Sequence, residues 1–265
     1  MVIVNDFLGN EINVTDNPEK IISLVPSITE LLFDLELDGK IVGVTNYCVH
    51  PLSKTKEVVK IGSPKQIDVE TIKEIQPDLI FASKEENSKA DITYFLGNGN
   101  IFVSDVKSFE ESLSMIYEIG QLTGKDKEAQ KKIKKIHSKL KGFPVLSKPK
   151  KIAYLIWEEP FMTINNDTYI HSILELCGFE NVFAEQKARY PEITENDLMN
   201  SDAEYIFLST EPYPFTKKHA KRFNKNFNRK KSLVVDGEIF SWYGTRILKL
   251  PKYMEKLMMR MEEWV

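Results

Sequence analysis

The chain has 265 residues, of which 42% are hydrophobic and 28% are charged. This composition is typical of a folded globular protein that buries about 75% of the surface of its unfolded chain. Its 36 basic and 39 acidic residues give a net charge of −3, which predicts no overall attraction to nucleic acid or to an anionic membrane. The two cysteines are too few for a disulfide scaffold or a cysteine-rich zinc site.

The amino terminus does not have the pattern of a secretory signal, because Asp6, Glu11 and Asp16 stand where a basic start and an apolar run are needed. No stretch approaches the roughly 20 consecutive apolar residues of a transmembrane helix. From these features alone we expect either a cytoplasmic protein or one whose leader is not part of this sequence.

Short apolar runs alternate with amphipathic stretches, beginning with IISLV, SITELLFDLEL and IVGVT. This alternation is typical of the strands and helices of parallel α/β units. Ser27 and Glu30 have the spacing of a capping box, which predicts a helix start after a strand that ends near Val25. Asp68 is a second candidate N-cap residue.

After this first series, apolar residues recur at steps of three and four, which predicts one long helix or two helices in tandem near Gly124. A second α/β series follows it. We therefore predict an α/β protein with two lobes, each with a mainly parallel sheet flanked by helices. The lobes are expected at residues 1–107 and 143–265, and one long backbone helix at 108–142 is expected to join them.

Catalysis and a metal site built from protein side chains are not predicted. The chain lacks a GxSxG elbow, a GxxxxGK phosphate loop and a GxGxxG motif. Its four histidines show no HxH or HExxH pairing. We therefore assign no catalytic residue and no metal ligand, although His50, beside Pro51 in the loop after IVGVT, has the position best suited to a cleft.

Two basic segments, KDKEAQKKIKKIHSKLK and TKKHAKRFNKNFNRKK, are candidate nucleic-acid patches. In the first, the lysines lie opposite Ile133, Ile136 and Leu140 on a helix, as on any amphipathic surface helix. We interpret both segments as solvated helix faces and predict no nucleic-acid partner.

Aromatic residues recur in loops after predicted strands, where the ligands of α/β sheets bind. Five such positions fall in the two lobes: Tyr47, Trp157, Tyr190, Trp242 and Tyr243. This recurrence predicts an aromatic cleft for a large, flat ligand, which such walls bind through stacking and buried apolar area.

Several motifs occur in a characteristic order: IISLVPSITELLFDLELDGKIVGVTNYCVHP, PKQIDVETIKEIQPDLIFAS, PFMTINNDTYIHSILELCGFENVF, YPEIT and IFSWYGTRIL. Together they resemble the substrate-binding proteins of the cobalamin and iron-siderophore ABC importers, from about residue 5 to residue 260. The resemblance implies two α/β lobes bridged by a long helix and a non-enzymatic role. Such a protein captures a metal chelate in the cleft between its lobes and delivers it to the permease dimer of an ABC transporter.

The resemblance also implies a periplasmic or otherwise extracytoplasmic location, without insertion of the chain into the membrane. It implies no built-in cofactor, because the metal arrives with the ligand as a cobalt corrinoid or a ferric chelate. Position by position, it implies a ligand-binding set of aromatic, apolar and acidic residues: Tyr47, Phe161 or Met162, Tyr190, Glu238, Phe240 and Trp242.

Cobalamin or a related corrinoid is the first expectation, although the cobalamin branch has aromatic residues where this chain has Pro64 and Ser83. A ferric siderophore or haem is the alternative. Arg246 is assigned to the ligand-binding set as a polar anchor, with Glu238 as the other choice. It also supports that alternative, because a guanidinium pairs well with carboxylate-rich or catecholate-rich ligands. A hypothesis from another class is a chelatase-like enzyme that would use His50 with Glu238.

Proteins of this family resemble one another in docking onto permease arginines through one surface glutamate per lobe, which mainly fixes orientation. Glu70 matches the first docking position. Asn196 occupies the second, so a neighbouring carboxylate, Glu195 or Asp197, would have to replace it, and we assign Glu195.

Overall fold

The structure is a computed structural model that describes residues 2–14, 17–143, 146 and 148–262. The chain divides into two compact units, each made of three segments. The first unit comprises Met1–Val106, Glu110–Ser138 and Tyr243–Leu248. The second comprises Lys107–Phe109, Lys139–Trp242 and Lys249–Val265. The predicted connecting segment 108–142 and the short stretch after Trp242 are therefore largely parts of the first unit.

The strands in the first part of the chain are β1 (Val2–Asn5), β2 (Glu11–Val14), β3 (Ile21–Ser23), β4 (Ile41–Val44), β5 (Val59–Lys60), β6 (Gly62–Ser63), β7 (Gln66–Ile67), β8 (Leu79–Ser83) and β9 (Ile101–Ser104). The helices there are α1 (Pro26–Asp34), α2 (Leu52–Thr55), α3 (Val69–Ile75), α4 (Lys89–Asn98), α5 (Phe109–Leu122) and α6 (Asp126–Leu140). A short 3₁₀ helix covers Asp38–Lys40.

A parallel sheet with the strand order β5-β4-β3-β8-β9 forms the centre of the first unit. Strands β3, β8 and β9 are buried along their whole length. Strands covered on both faces need apolar side chains throughout, which explains why they read as continuous apolar runs in the sequence. The predicted parallel sheet is confirmed.

The start of α1 differs from the prediction, because no side chain caps it. The helix begins at Pro26, and its N-cap residue is Val25. The carboxylate of Glu30 accepts a hydrogen bond from Arg246 Nε instead of reaching back to the helix start. A charged partner binds a carboxylate more strongly than a backbone amide does, so the capping box predicted from Ser27 and Glu30 does not form. The cap predicted at Asp68 is confirmed, since its carboxylate accepts a hydrogen bond from the backbone of the α3 helix.

The helical stretch after β9 consists of two helices in tandem, so the single long backbone helix predicted at 108–142 is interrupted and the tandem arrangement is the one that forms. Gly124 has a φ of +67° between them, a backbone conformation that favours glycine. Gly120 of α5 lies against Ala129 of α6, and a Cβ added at Gly120 would be 2.5 Å from the Ala129 Cβ. The small residue allows the two helices to approach each other closely.

The strands in the second part of the chain are β10 (Lys150–Leu155), β11 (Phe161–Met162), β12 (Phe179–Asn181), β13 (Glu192–Ile193), β14 (Tyr205–Ser209) and β15 (Lys231–Val235). The helices there are α7 (Tyr169–Leu176), α8 (Glu195–Asn200), α9 (Lys217–Asn226), α10 (Gly237–Ser241) and α11 (Leu250–Glu262). A 3₁₀ helix covers Thr245–Lys249.

The second unit is also built on a parallel sheet, with the strand order β12-β10-β14-β15. In each sheet the chain order reverses once, between β3 and β8 in the first unit and between β10 and β14 in the second. Loops at the carboxyl ends of strands on either side of such a reversal leave a crevice that commonly binds ligands. The fold therefore predicts ligand-binding residues in the loops after β3, β4 and β8 and in the loops after β10 and β14.

Candidate ligand-binding site

The loop after β4 exposes an apolar surface in the first unit. Tyr47 is 62% exposed, and Val49 and Leu52 are 39% and 58% exposed. The loop is nevertheless firmly anchored. Asn46 N donates to Gly62 O over 2.8 Å, and the buried Cys48 thiol accepts a hydrogen bond from the Thr29 hydroxyl. Tyr47 is thus presented to solvent by a fixed backbone, as expected for a ligand-facing aromatic residue.

In the second unit, Phe161 and Tyr190 lie on two chain segments that run side by side. Strand β11 pairs with β13, and Phe161 is opposite Ile193. The pairing continues beyond the strands, where Thr163 N donates to the carbonyl of Pro191 over 3.0 Å. The structure therefore brings the segments of two predicted site residues together.

These two side chains have different surroundings. The Phe161 ring lies 5.5 Å from that of Phe223 and packs against the core. Tyr190 is half-buried in the loop before β13. The guanidinium carbon of Arg189 lies 5.9 Å from the centre of the Tyr190 ring, so a positively charged group lies over this ring.

Trp157 lies in the loop after β10, at the point where the strand order of the second sheet reverses. Its ring is 39% exposed and meets the ring of Tyr213, from the loop after β14, edge to face at 5.5 Å. The Tyr213 hydroxyl donates to Glu158 Oε2 over 3.2 Å. Partial desolvation and the Glu158 carboxylate raise the pKa of Tyr213, so it stays a neutral donor.

Glu158 is buried and is held by cationic and polar partners. The guanidinium of Arg222 hydrogen-bonds one of its oxygens, and His219 Nε2 is 3.7 Å from the other. This network fixes the orientation of Tyr213 and, through the ring contact, that of Trp157. The sequence indicated Trp157 but missed Tyr213, although an aromatic residue between prolines in the segment EPYPF after a strand was the same signal.

Glu238 lies in the first turn of α10, beside a cavity of 530 Å³ in the second unit. The cavity is lined by residues of both charges and by an aromatic side chain: Thr210, Glu211, Val234, Val235, Asp236, Glu238, Tyr253 and Arg260. Burial raises the pKa of Tyr253 to about 12. Carboxylates and a guanidinium in one cavity are suited to a polar ligand group.

Phe240 and Trp242, both predicted to contact ligand, are buried. Phe240 has no exposed surface, and its ring packs against those of Tyr154 and Tyr253 at 5.7 and 5.9 Å. Trp242 is 7% exposed, and its Nε1 donates to Glu211 Oε2 over 2.9 Å. Phe240 thus packs against the β10 residue Tyr154 and the α11 residue Tyr253, and Trp242 is held by the loop after β14 that carries Glu211.

Arg246 and Tyr243 are buried within the first unit. Arg246 is 5% exposed and forms an ion pair of 2.7 Å with Glu30. Tyr243 is 5% exposed and shares a hydrogen bond of 2.9 Å with Ser104. The structure does not present either side chain to a ligand, because each is engaged with the first sheet or its helices.

The two predicted docking carboxylates lie on exposed helix starts. Glu70 is in the first turn of α3, with its side chain 78% exposed, and pairs with Lys73 at 2.8 Å. Glu195 is exposed in the first turn of α8. Asp197 closes the capping box of that helix with Thr194, so Glu195 is the carboxylate beside Asn196 that has no capping role.

Within residues 2–14, 17–143, 146 and 148–262 there is no cluster of three or more His, Cys, Asp or Glu residues arranged to hold a metal ion. Over the same residues, none of the helices combines the length and the apolar character needed to cross a bilayer.

A family model described as periplasmic binding protein matches residues 21–231. The match covers the first parallel sheet and strands β10, β12 and β14 of the second. The chain belongs to the periplasmic binding protein family.

Two curated relatives resemble the chain over most of its length. An uncharacterized ABC transporter substrate-binding lipoprotein, YvrC of Bacillus subtilis (strain 168), is 30% identical over 215 residues, which cover 76% of this chain and 68% of the relative. The vitamin B12-binding protein of Yersinia pestis (strain Pestoides F) is 28% identical over 195 residues, covering 72% and 69%.

Solved structures share the fold at lower identity. The periplasmic vitamin B12-binding protein BtuF of Vibrio cholerae has a TM-score of 0.76 at 20% identity and covers 90% of this chain and 97% of its own. The periplasmic heme-binding protein HutB of Vibrio cholerae has a TM-score of 0.74 at 18% identity and covers 90% and 98%. One fold therefore occurs in proteins named for different chelates.

Proposed function

We propose that this protein is the substrate-binding component of an ABC importer and that it captures a metal-organic chelate, with cobalamin or a related corrinoid as its first candidate. Membership of the periplasmic binding protein family supports the transport role. The relative named for vitamin B12 binding, at 28% identity, supports the corrinoid. In this proposal the metal enters with the ligand, and the protein acts outside the cytoplasm without chemical turnover.

The observation that carries the proposal is the exposure of Tyr47, an aromatic ring that is 62% exposed on an anchored loop at the carboxyl end of a strand. Trp157, 39% exposed, occupies the equivalent kind of position in the second unit. Large aromatic side chains left in water contribute little to folding, but each square ångström of apolar surface covered by a ligand contributes about 25 cal/mol to binding. Flat macrocycles cover such rings well.

A second candidate ligand class is an anionic chelate, such as a carboxylate-rich ferric siderophore or haem. Arg246 no longer supports it, because this guanidinium is paired with Glu30 in the interior. Arg189 supports it instead, since its guanidinium accompanies the Tyr190 ring. A guanidinium binds carboxylates in a bidentate geometry and would favour a ligand with negative charge.

The test is a calorimetric titration of the protein with cyanocobalamin, with a ferric siderophore and with haem in parallel. We expect saturable one-to-one binding of cyanocobalamin, micromolar or tighter, which is about −8 kcal/mol. Binding of only the siderophore or haem would favour the anionic class and implicate Arg189. No detectable binding of any of the three ligands would contradict the proposal.

Variants show whether the exposed rings form the site. We expect Tyr47→Ala and Trp157→Ala each to weaken binding of the chelate by about tenfold or more, as for other aromatic anchors. Tyr117→Ala is the matched control, because Tyr117 is a 39% exposed tyrosine on the α5 helix and not in a strand-end loop. Equal effects of all three substitutions would contradict the assigned positions.

We further propose that Glu70 and Glu195 dock the protein onto arginines of the permease dimer. Both are exposed, and neither is needed to cap its helix. Reversing either charge in a reconstituted transporter should reduce stimulation of ATP hydrolysis while chelate binding is retained.

The chelatase hypothesis is tested by His50→Ala, which should leave chelate affinity nearly intact in a binding protein. Any metal insertion into a tetrapyrrole that depends on His50 would favour an enzyme.

A further inference from the structure

Helix α9 and the turn after it concentrate positive charge. From Lys217 to Lys231 the chain has eight basic residues and no acidic residue, although the whole protein has a net charge of −3. A segment of this kind is either needed by the fold or available to a partner.

Three of the eight basic side chains have roles within the second unit. Arg222 hydrogen-bonds the buried carboxylate of Glu158. The Lys230 ammonium donates to the carbonyl of Ala203 over 3.2 Å. Lys231 lies over an aromatic ring at 5.9 Å. These three residues are explained by folding.

The other five are exposed and make no ion pair or hydrogen bond with any residue that the structure describes: Lys217, Lys218, Lys221, Lys225 and Arg229. Lys217, Lys221 and Lys225 recur every four residues and therefore share one helix face over about 12 Å. The opposite face is fixed to the core by Phe223 and Phe227, which are 1% and 4% exposed. We call the five residues the α9 basic face.

The placement of these charges opposes helix stability. Lys217 and Lys218 lie in the first turn, next to the positive end of the helix dipole, and no acidic residue accompanies them. The other lysine-rich helix, α6, has Asp126 and Glu128 in its first turn, as helix stability favours. A local rule broken without a structural benefit is typical of a functional surface.

We propose that the α9 basic face binds the headgroups of an anionic phospholipid bilayer. Clusters of four to eight lysine and arginine residues on an amphipathic helix are typical of binding to acidic lipids. The two phenylalanines of the helix are buried, so this face offers no aromatic platform on which single-stranded nucleic acid could stack. For the same reason the binding is peripheral, through charge alone and without insertion.

The choice of a bilayer rests in part on the proposed function, because the permease that receives the chelate lies in a membrane. Loose attraction of the binding protein to the lipid around the permease would raise its local concentration there. Because the contacts are exposed charges, the attraction is strongest at low ionic strength and weakens as the Debye length shortens.

The experiment is co-sedimentation of the full chain, without any chelate, with vesicles of phosphatidylglycerol and phosphatidylcholine and with vesicles of phosphatidylcholine alone. We expect binding only to the anionic vesicles, and a steep loss of binding as salt is added. The triple variant K217E/K221E/K225E should bind them at least about tenfold more weakly. The milder K217Q/K221Q/K225Q should show an intermediate loss of binding, and its melting temperature by circular dichroism should be no lower than that of the parent.

The matched control is K127E/K131E/K134E on α6, which changes the net charge equally at three exposed lysines. Equal losses in both triple variants would overturn the proposal, because net charge alone would then decide binding. Equal binding to neutral vesicles, or displacement of the protein from anionic vesicles by a small excess of RNA, would overturn it too. Cyanocobalamin titration of the same variants is a separate measurement, so failure of the proposed ligand and failure of lipid binding remain distinguishable.

Discussion

Arg246 and Glu30, 216 positions apart in the chain, form a buried ion pair in which Arg246 Nε lies 2.7 Å from Glu30 Oε2. Arg246 belongs to the 3₁₀ helix near the end of the chain, and Glu30 belongs to α1. Their side chains are only 5% and 13% exposed. The pair ties a late segment of the chain to the first helix of the same unit.

Removing one partner of this pair should strongly destabilise the protein, because the other charge would be left buried and uncompensated. We expect Arg246→Ala or Glu30→Ala to lower the free energy of unfolding by about 3–5 kcal/mol, measured by urea denaturation. Lys150→Ala, which breaks the exposed pair with Glu204, is the control and should cost less than about 1 kcal/mol. A small effect at Arg246, together with a large loss of chelate affinity, would restore its assignment to the ligand site.

Trp242 and Trp157 should respond to substitution in opposite ways. Trp242→Phe removes the donor to Glu211 and should lower the free energy of unfolding by about 1–3 kcal/mol, with little effect on chelate binding. Trp157→Phe should leave stability nearly unchanged and weaken chelate binding. Denaturation and calorimetry on the same two variants check this, and similar profiles for both would contradict the distinction between a structural and a ligand-facing tryptophan.

The same two tryptophans show how far the sequence determines the site. Each follows an element that is visible in the sequence, so a pattern of aromatic residues in loops includes both. Exposure depends on whether a covering element lies above the loop. Trp242 donates a hydrogen bond to Glu211 and is only 7% exposed. Trp157 contacts Tyr213 but is 39% exposed.

The buried strands β3 and β8 and the start of α3 were predictable because their causes are local. Strands β3 and β8 lie in short, mainly apolar runs of the sequence. The Asp68 carboxylate accepts a hydrogen bond from the backbone amide of Thr71, only three residues further along the chain. The partner of Glu30 was not predictable, because a residue more than 200 positions away competes with the local cap. The division of the chain into units depends on long-range packing in the same way.

Glu118 on α5 should make stability fall as the pH rises. Burial, and to a lesser extent the negative charge of Asp6, raises the pKa of this carboxyl from 4.5 to about 7. Its Oε2 atom is buried and accepts no hydrogen bond among the described residues. Between these two pKa values the folded state holds a proton that the unfolded state has lost, so the free energy of unfolding decreases with increasing pH.

We expect a loss of about 1–2 kcal/mol between pH 4.5 and pH 8, reduced from the full linkage value because the group is only half-buried. Glu118→Gln should remove this part of the pH dependence and stabilise the protein at pH 8. Thermal melts across the pH range measure both effects, with Glu57→Gln as a control at an exposed carboxylate. A Glu118→Gln variant that is less stable than the parent at pH 8 would contradict the assignment.

Asp197 and Glu195 should separate helix capping from docking. The Asp197 carboxylate accepts hydrogen bonds from the Thr194 amide and hydroxyl, over 2.8 and 2.7 Å, and these bonds lower its pKa. Asp197→Ala should therefore lower the melting temperature, and the loss should disappear in acid as this carboxyl is protonated in the parent. Glu195→Ala should leave the melting temperature unchanged but impair permease stimulation, and the reverse pattern would contradict the docking assignment.

Gly120 should not tolerate alanine, although alanine normally favours a helix by about 1 kcal/mol over glycine. A Cβ at this position would lie 2.5 Å from the Ala129 Cβ and 3.2 Å from the Lys125 carbonyl oxygen, so helix α6 would have to move away. We expect Gly120→Ala to lower the free energy of unfolding by about 1–3 kcal/mol, measured by denaturation. The double variant Gly120→Ala with Ala129→Gly removes the closest contact and should recover part of the loss. If Gly120→Ala is instead stabilising, the two helices are not held together at this contact.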